Sequence, residues 1–247
     1  MNTAASRVLA GAALVLVLNA CGSSSAPPMV TSPGTDTQTS SAVGTSVPHP
    51  TQSSLKVAGC RNVPPPASRE GEQASEPSAR LDPTRAYTVR LATNCGVITI
   101  SLAVKEAPKT TSSFAHLVQI GYYNGLTFHR VVPGFVIQGG DPNGNGTGGP
   151  NWKIVEPPPA NLRYTFGVVA MAKGADEPSG TSSSQFFIVT GSDVNLPPVY
   201  ALVGHVVGGA RTVAAIAHVP TEAPPEGGPA SRPRVPIVIE RATLSVH

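Results

Sequence analysis

Two short runs of this chain bring together side chains that could act on a single bond. They are Phe128-His129-Arg130-Val131-Val132-Pro133-Gly134-Phe135-Val136-Ile137-Gln138-Gly139-Gly140-Asp141 and, some forty residues on, Ser184-Gln185-Phe186-Phe187. One arginine and one glutamine stand among aromatic and aliphatic residues on short strands, a set suited to holding an apolar ring beside one amide bond. Other chemistries fail on spacing. Asp141-Pro142-Asn143-Gly144-Asn145-Gly146 copies the first half of a calcium loop, but its twelfth position is Trp152 rather than a bidentate glutamate. The glycine run from Gly144 to Gly149 lacks the Gly-Lys-Ser/Thr of a phosphate loop, and Ser182-Ser183-Ser184 lacks the glycines of a hydrolase elbow. The 6 histidines show no paired metal spacing, so no metal is expected.

Short β-rich pieces must position these runs. Residues 87–93 and 97–102 alternate on either side of Asn94-Cys95-Gly96, which predicts a hairpin. Pro108 then opens an amphipathic helix in which Phe114, Leu117, Val118 and a closing Gly121 fall at helical spacing. Further strands are expected at 127–132, 135–138, 165–171, 185–189, 201–207 and 235–246, with a second helix at 211–218. Many short strands with two helices predict a barrel or sandwich.

Composition divides the chain of 247 residues unevenly, with 26 Pro and 25 Gly. From Gly22 to about Arg80 it is Ser, Thr, Pro, Gly and Ala with few large apolar residues, so a disordered tether is expected over 21–84 and a folded domain over 85–247. The net charge of +3 has no clustered basic stripe, which sets nucleic acid aside as a partner. At the start, one positive charge precedes an apolar run over 8–18, the length of a signal-peptide core and too short to span a bilayer. It ends in Leu18-Asn19-Ala20-Cys21, which resembles a bacterial lipobox apart from Asn19, where a smaller residue is usual. A signal peptide over 1–20 and lipidation of Cys21 are therefore expected, anchoring the chain to the extracytoplasmic face of a bacterial cell membrane. Cys60 and Cys95 remain, and an oxidising compartment favours their pairing.

From about Arg85 onward the sequence resembles a cyclophilin, a peptidyl-prolyl cis-trans isomerase, with the two quoted runs matching that family's central motifs. The resemblance implies a closed eight-stranded antiparallel β-barrel capped by two helices, with a substrate groove on its outer face and no cofactor. An X-Pro bond rotates over tens to hundreds of seconds because rotation breaks amide resonance, a barrier of about 18–20 kcal/mol. Lowering that barrier needs a desolvated bond, a held proline ring and a donor where nitrogen gains lone-pair character. Arg130 suits the last role, since its guanidinium stays charged and presents a fixed fork of donors. His129 reads as its packing neighbour, because this reaction moves no proton.

By the same resemblance Phe135, Val136, Phe187 and Leu196 form an apolar cup, Tyr200 completes its rim, and Gln138 bonds the substrate backbone. Ala172 and Lys173 would pair with the peptide through main-chain groups, and Gln185 would line the groove beside Phe187. Strict alternation separates Phe135 from Gln138, so their shared site needs a bend at Gly134 or Gly139. Two departures stand out: Lys173 replaces a frequent asparagine, and Asn195 replaces a tryptophan or phenylalanine used by cyclosporin-like macrocycles. The partners implied are proline-containing segments of unfolded or flexible exported proteins, met by a monomer. The competing expectation is a peptide-docking or chaperone module without turnover.

Overall fold

The computed structural model describes residues 59–247. Cys21 and the segments expected as signal peptide and outer tether lie outside them. The hairpin is present as β1 (Tyr87–Thr93) and β2 (Gly96–Leu102), with alternate side chains of β1 buried. Its turn is closed by side chain and backbone together: Thr93 Oγ1 donates to the Gly96 carbonyl at 2.8 Å and accepts the Cys95 N–H at 3.1 Å.

Helix α1 (Pro108–Gln119) begins with proline in its first turn, where the missing N–H costs nothing. Two N–H groups left unpaired there are taken by a distant carboxylate, Glu156, which accepts from Lys109 N and Thr110 N at 3.0 and 2.7 Å. Phe114, Leu117 and Val118 are buried beneath the helix, as its spacing predicts. The chain then supplies β3 (Arg130–Val132), β4 (Val136–Gly139), β5 (Ile154–Val155), β6 (Val168–Met171), β7 (Thr181–Ser182), β8 (Phe186–Val189), β9 (Leu202–Gly208), α2 (Ala210–Ala217), β10 (Thr221–Glu222), β11 (Arg232–Pro233) and β12 (Ile239–Val246).

Eight of the strands form one curled antiparallel sheet in the order β12-β1-β2-β9-β6-β8-β4-β3. The expectation of a closed barrel is corrected: β12 and β3 stand at opposite ends of the order, and the sheet is a half-barrel. The sequence between β11 and β12 explains the gap. Pro233 and Pro236 bring no N–H to a ladder, so that segment meets the edge only through single contacts. These include Val131 N to the Ser231 carbonyl at 2.7 Å, Phe128 N to the Ile237 carbonyl at 2.8 Å, and an isolated bridge between Thr127 and Val238. For the same reason the last strand starts at Ile239 rather than at residue 235.

The inner face of the sheet packs with α1 and α2 into the main core, where Phe114, Tyr123, Phe128 and Phe186 stack edge-on or tilted at 5.1–5.8 Å. A second apolar cluster lies apart from it and contains Val136, Tyr164, Val168, Ala170, Phe187, Val189 and Leu202. Residues 59–84, assigned from composition to the tether, run along the domain. Few large side chains are needed to hold them, because the bonds are polar and covalent. Cys60 is joined to Cys95 in a disulfide. Arg69 donates to the Tyr122 and Asn124 carbonyls at 3.0 and 2.6 Å, Trp152 Nε1 donates to the Ala74 carbonyl at 2.8 Å, and Leu81 N donates to Ser112 Oγ at 2.9 Å.

Candidate active site

Strand register assembles the site. Arg130 on β3 pairs with Gln138 on β4, Gln138 pairs with Phe187 on β8, and Phe187 pairs with Ala170 on β6. Directly opposed residues project to the same side of a sheet, so one row carries arginine, glutamine and phenylalanine side by side. Val136, two residues before Gln138, shares that side. Phe187, Ala170 and Val136 belong to the second apolar cluster, against which Phe135, Ala172, Leu196 and Tyr200 also pack. The expected groove residues are thus gathered on the outer face, while Ile137, Phe186 and Ile188 point into the main core.

The conflict over Phe135 resolves at the turn. Phe135 precedes β4, and its N–H donates back to the Val132 carbonyl at 3.0 Å. Gly134 takes φ +71°, a left-handed conformation open to glycine at little cost. The turn swings the Phe135 ring back under Arg130, whose guanidinium carbon lies 5.8 Å from the ring centroid. Arg130 Nη1 also donates to Gln138 Oε1 at 3.4 Å. Burial lowers the guanidinium pKa from its ordinary value, and a guanidinium is not deprotonated in proteins, so Arg130 stays charged.

Gln138 is itself oriented. Its Nε2 donates to Gln185 Oε1 at 3.0 Å, and Gln185 Nε2 donates to the Gly146 and Gly148 carbonyls, both at 2.9 Å. Both donor hydrogens of the Gln185 amide are therefore spent on the glycine loop, and its oxygen on Gln138. Sequence reasoning made Gln185 a groove-lining contact, whereas its amide functions as a brace between loop and groove. The loop is held in turn by Asp141, buried to 1% exposure, which accepts the N–H groups of Asn143, Asn145 and Gly146. The calcium-like sequence is a carboxylate-capped turn.

One residue outside the sequence reading completes the cup. Tyr164, fully buried, donates its hydroxyl to the Tyr200 carbonyl at 2.7 Å and accepts the Tyr200 N–H at 3.0 Å. Burial pushes the phenol pKa up to about 12, so it remains a donor. Its ring and those of Phe187 and Tyr200 meet pairwise at 5.4–6.1 Å, making one aromatic wall. Tyr164 lies just ahead of the strand expected at 165–171, which begins at Val168, Thr165 making only an isolated bridge to Asp193, so no periodicity marked the tyrosine.

The remaining candidates fall as follows. Ala172 N donates to the Gln185 carbonyl at 2.8 Å, which leaves the Ala172 carbonyl and the Lys173 N–H without a backbone partner among the described residues. Asn195 is exposed, sits at φ +50° and donates its N–H to Asp193 Oδ1 at 3.0 Å. It makes a left-handed turn beside the cup, a conformation that asparagine accepts and bulky residues resist. His129 faces away from the groove into a cavity of about 630 Å³, lined also by Asp141, Pro65 and Pro236. Neither ring nitrogen has a hydrogen-bond partner among the described residues, and burial draws the imidazole pKa down to about 4. A neutral ring facing away from the row agrees with a packing role. Among the described residues, no group of three or more His, Cys, Asp and Glu could hold a metal ion.

Comparison with known proteins matches residues 88–244 to the family described as cyclophilin type peptidyl-prolyl cis-trans isomerase. The peptidyl-prolyl cis-trans isomerase A of Mycobacterium tuberculosis is 35% identical over 186 residues, 68% of this chain and 97% of that protein. The peptidyl-prolyl cis-trans isomerase-like 1 of Mus musculus is 38% identical over 137 residues, 54% of this chain and 81% of that protein. A crystal structure of a Cryptosporidium parvum cyclophilin type isomerase, in the presence of the dipeptide Ala-Pro, superposes with a TM-score of 0.57 at 31% identity. It covers 64% of this chain and 98% of that one.

Proposed function

The chain belongs to the cyclophilin-type peptidyl-prolyl cis-trans isomerase family, and from that premise we propose that it rotates X-Pro bonds of exported proteins in the groove on the outer face. The observation that carries this reading is the row Arg130, Gln138, Phe187 on three adjacent strands, with Phe135 folded back beneath the guanidinium. The proline ring sits among Phe135, Val136, Phe187 and Leu196, with Tyr200 at the rim. Gln138 bonds the peptide backbone, helped by the free main-chain groups of Ala172 and Lys173. The Ala-Pro dipeptide present with the Cryptosporidium parvum neighbour supports proline-containing peptides as the substrate class.

In this proposal Arg130 is the catalytic residue. As the bond twists, resonance is lost and the amide nitrogen gains a lone pair, which a guanidinium N–H can meet. The donor is in place beforehand, held by Gln138 and the Phe135 face, so little reorganisation is required when charge develops. The apolar cup excludes water, which strengthens that one interaction. No bond to the protein forms and no proton moves.

The proposed site of action rests on the reading of Cys21 as a lipidation site, and the disulfide is in keeping with it. We place the domain at the extracytoplasmic face of the membrane, held by lipid on Cys21 and acting there on unfolded or flexible exported chains. The Cys60–Cys95 disulfide supports an oxidising compartment. Cys21→Ala in the producing cell tests the anchor: the wild type should take up a labelled fatty acid and sediment with membranes, and the variant should do neither. A variant that remains membrane-bound and labelled contradicts it.

A further inference from the structure

The Lys173 ammonium is fixed at the edge of the groove. Its Nζ donates to the Gly174 and Glu177 carbonyls, both at 2.9 Å, and stands 5.8 Å from the centroid of the Tyr200 ring, the ring proposed as the rim of the proline cup. An ammonium carries three donor hydrogens, so one remains for a ligand. The long stem of a surface lysine usually costs entropy to immobilise, and here that immobilisation is already made by the loop 173–177.

The acid whose charge acts on this cation, Glu177, is held more strongly by other partners than by Lys173. The carboxylate of Glu177 pairs with Lys153 and accepts the Gly174 N–H. Asp193, on the loop that carries Asn195, pairs with Arg163 and accepts the Asn195 N–H. Both are held below the usual carboxylate pKa by these bonds, so both stay ionised and occupied. Among the residues proposed for the groove there are two cations, Arg130 and Lys173, and no carboxylate.

We propose that Lys173 is a specificity-determining residue, selecting proline segments that carry an aspartate or glutamate beside the X-Pro pair. This rests on the isomerase reading above. The acid of the substrate meets the free ammonium hydrogen at the Tyr200 rim while the proline occupies the cup. A basic residue in the same place meets two like charges. The pair lies at a solvent-exposed edge, so its effect is modest and salt-sensitive.

The test uses the full mature chain and two peptide series, one on each side of the X-Pro pair, with Glu, Gln or Lys at the flanking position. Exchange NMR reads turnover and shift titration reads binding. In at least one series at low salt, the Glu peptide should exceed the Lys peptide in kcat/KM by about fourfold, attraction and repulsion each contributing about twofold. In Lys173→Met that ratio should drop by about half or more, Lys173→Arg should retain it, and added salt should compress it. A ratio unchanged in Lys173→Met, or no acid preference in either series, overturns the proposal. Absence of turnover on every peptide, the Gln ones included, counts instead against the isomerase reading, and the binding titration then still decides the preference.

Discussion

Arg130 and Gln138 face each other across the β3–β4 pair, with Nη1 3.4 Å from Oε1. A donor-only side chain fixes which end of the glutamine amide it meets. The oxygen therefore turns to Arg130 and the nitrogen to Gln185, and that nitrogen keeps one hydrogen free for a substrate carbonyl.

This chain of bonds makes Gln185 a brace. Gln185→Leu removes the acceptor for Gln138 and releases the Gly146 and Gly148 carbonyls. The expected result is a loss of about tenfold in kcat/KM with most of it in KM, because a neutral hydrogen bond contributes about 1 kcal/mol. Steady-state kinetics on a short X-Pro peptide measures it. A loss confined to kcat would assign Gln185 a direct part in the rotation step.

Tyr164→Phe deletes one hydroxyl that makes two bonds to the Tyr200 backbone. Stability should fall by about 1–2 kcal/mol, since a buried N–H and carbonyl lose their partner, and peptide affinity should weaken as the rim loosens. Denaturant unfolding and NMR titration read the two effects separately. Unchanged affinity would mean that Tyr200 holds its place by ring packing alone.

His129 gives an acid-side dependence of stability. Its folded pKa, about 4, lies below the ordinary 6.5, so between those values the unfolded chain binds a proton that the folded one does not. Stability therefore falls as pH drops from about 6.5 towards 4, and outside that window this residue adds no further pH dependence, its penalty being absent above it and fully present below it. The full contribution is about 3 kcal/mol. In His129→Gln the difference between unfolding free energies at about pH 7 and pH 4 should shrink by that order. An identical pH profile in the variant would show that the imidazole protonates freely in the folded state.

Asn195 stands at φ +50° where an aromatic edge would serve macrocycle binding. Cyclosporin is expected to bind weakly, far from nanomolar, by calorimetry. Asn195→Gly should keep stability within a few tenths of a kcal/mol, whereas Asn195→Trp should cost about 1 kcal/mol through backbone strain. A nanomolar wild-type complex would contradict this account of the rim.

The hairpin 87–102 and both helices were legible because alternation, a helical stripe, Pro108 and Gly121 all signal locally. The placement of Arg130, Gln138 and Phe187 came from resemblance, and register supplies its physical reason. Three features were not legible. Pro233 and Pro236 leave the sheet open, but their effect depends on which strand they face. Tyr164 acts through its hydroxyl from a segment without periodicity. The stretch 59–84 has the composition of a tether; its disulfide to Cys95 was expected, but the bonds of Arg69 and of the Ala74 carbonyl that also fasten it to the domain leave no hydrophobic stripe to read.

The central claim is that a preformed arginine donor lowers the barrier to rotation. Exchange NMR of a short X-Pro peptide with wild type and Arg130→Ala tests it directly. The wild type should accelerate exchange, and the variant should bind the peptide with similar affinity while losing about a hundredfold in rate, as removal of one preorganised donor does. Equal rates for the two proteins, or a wild type that binds without acceleration, would contradict it.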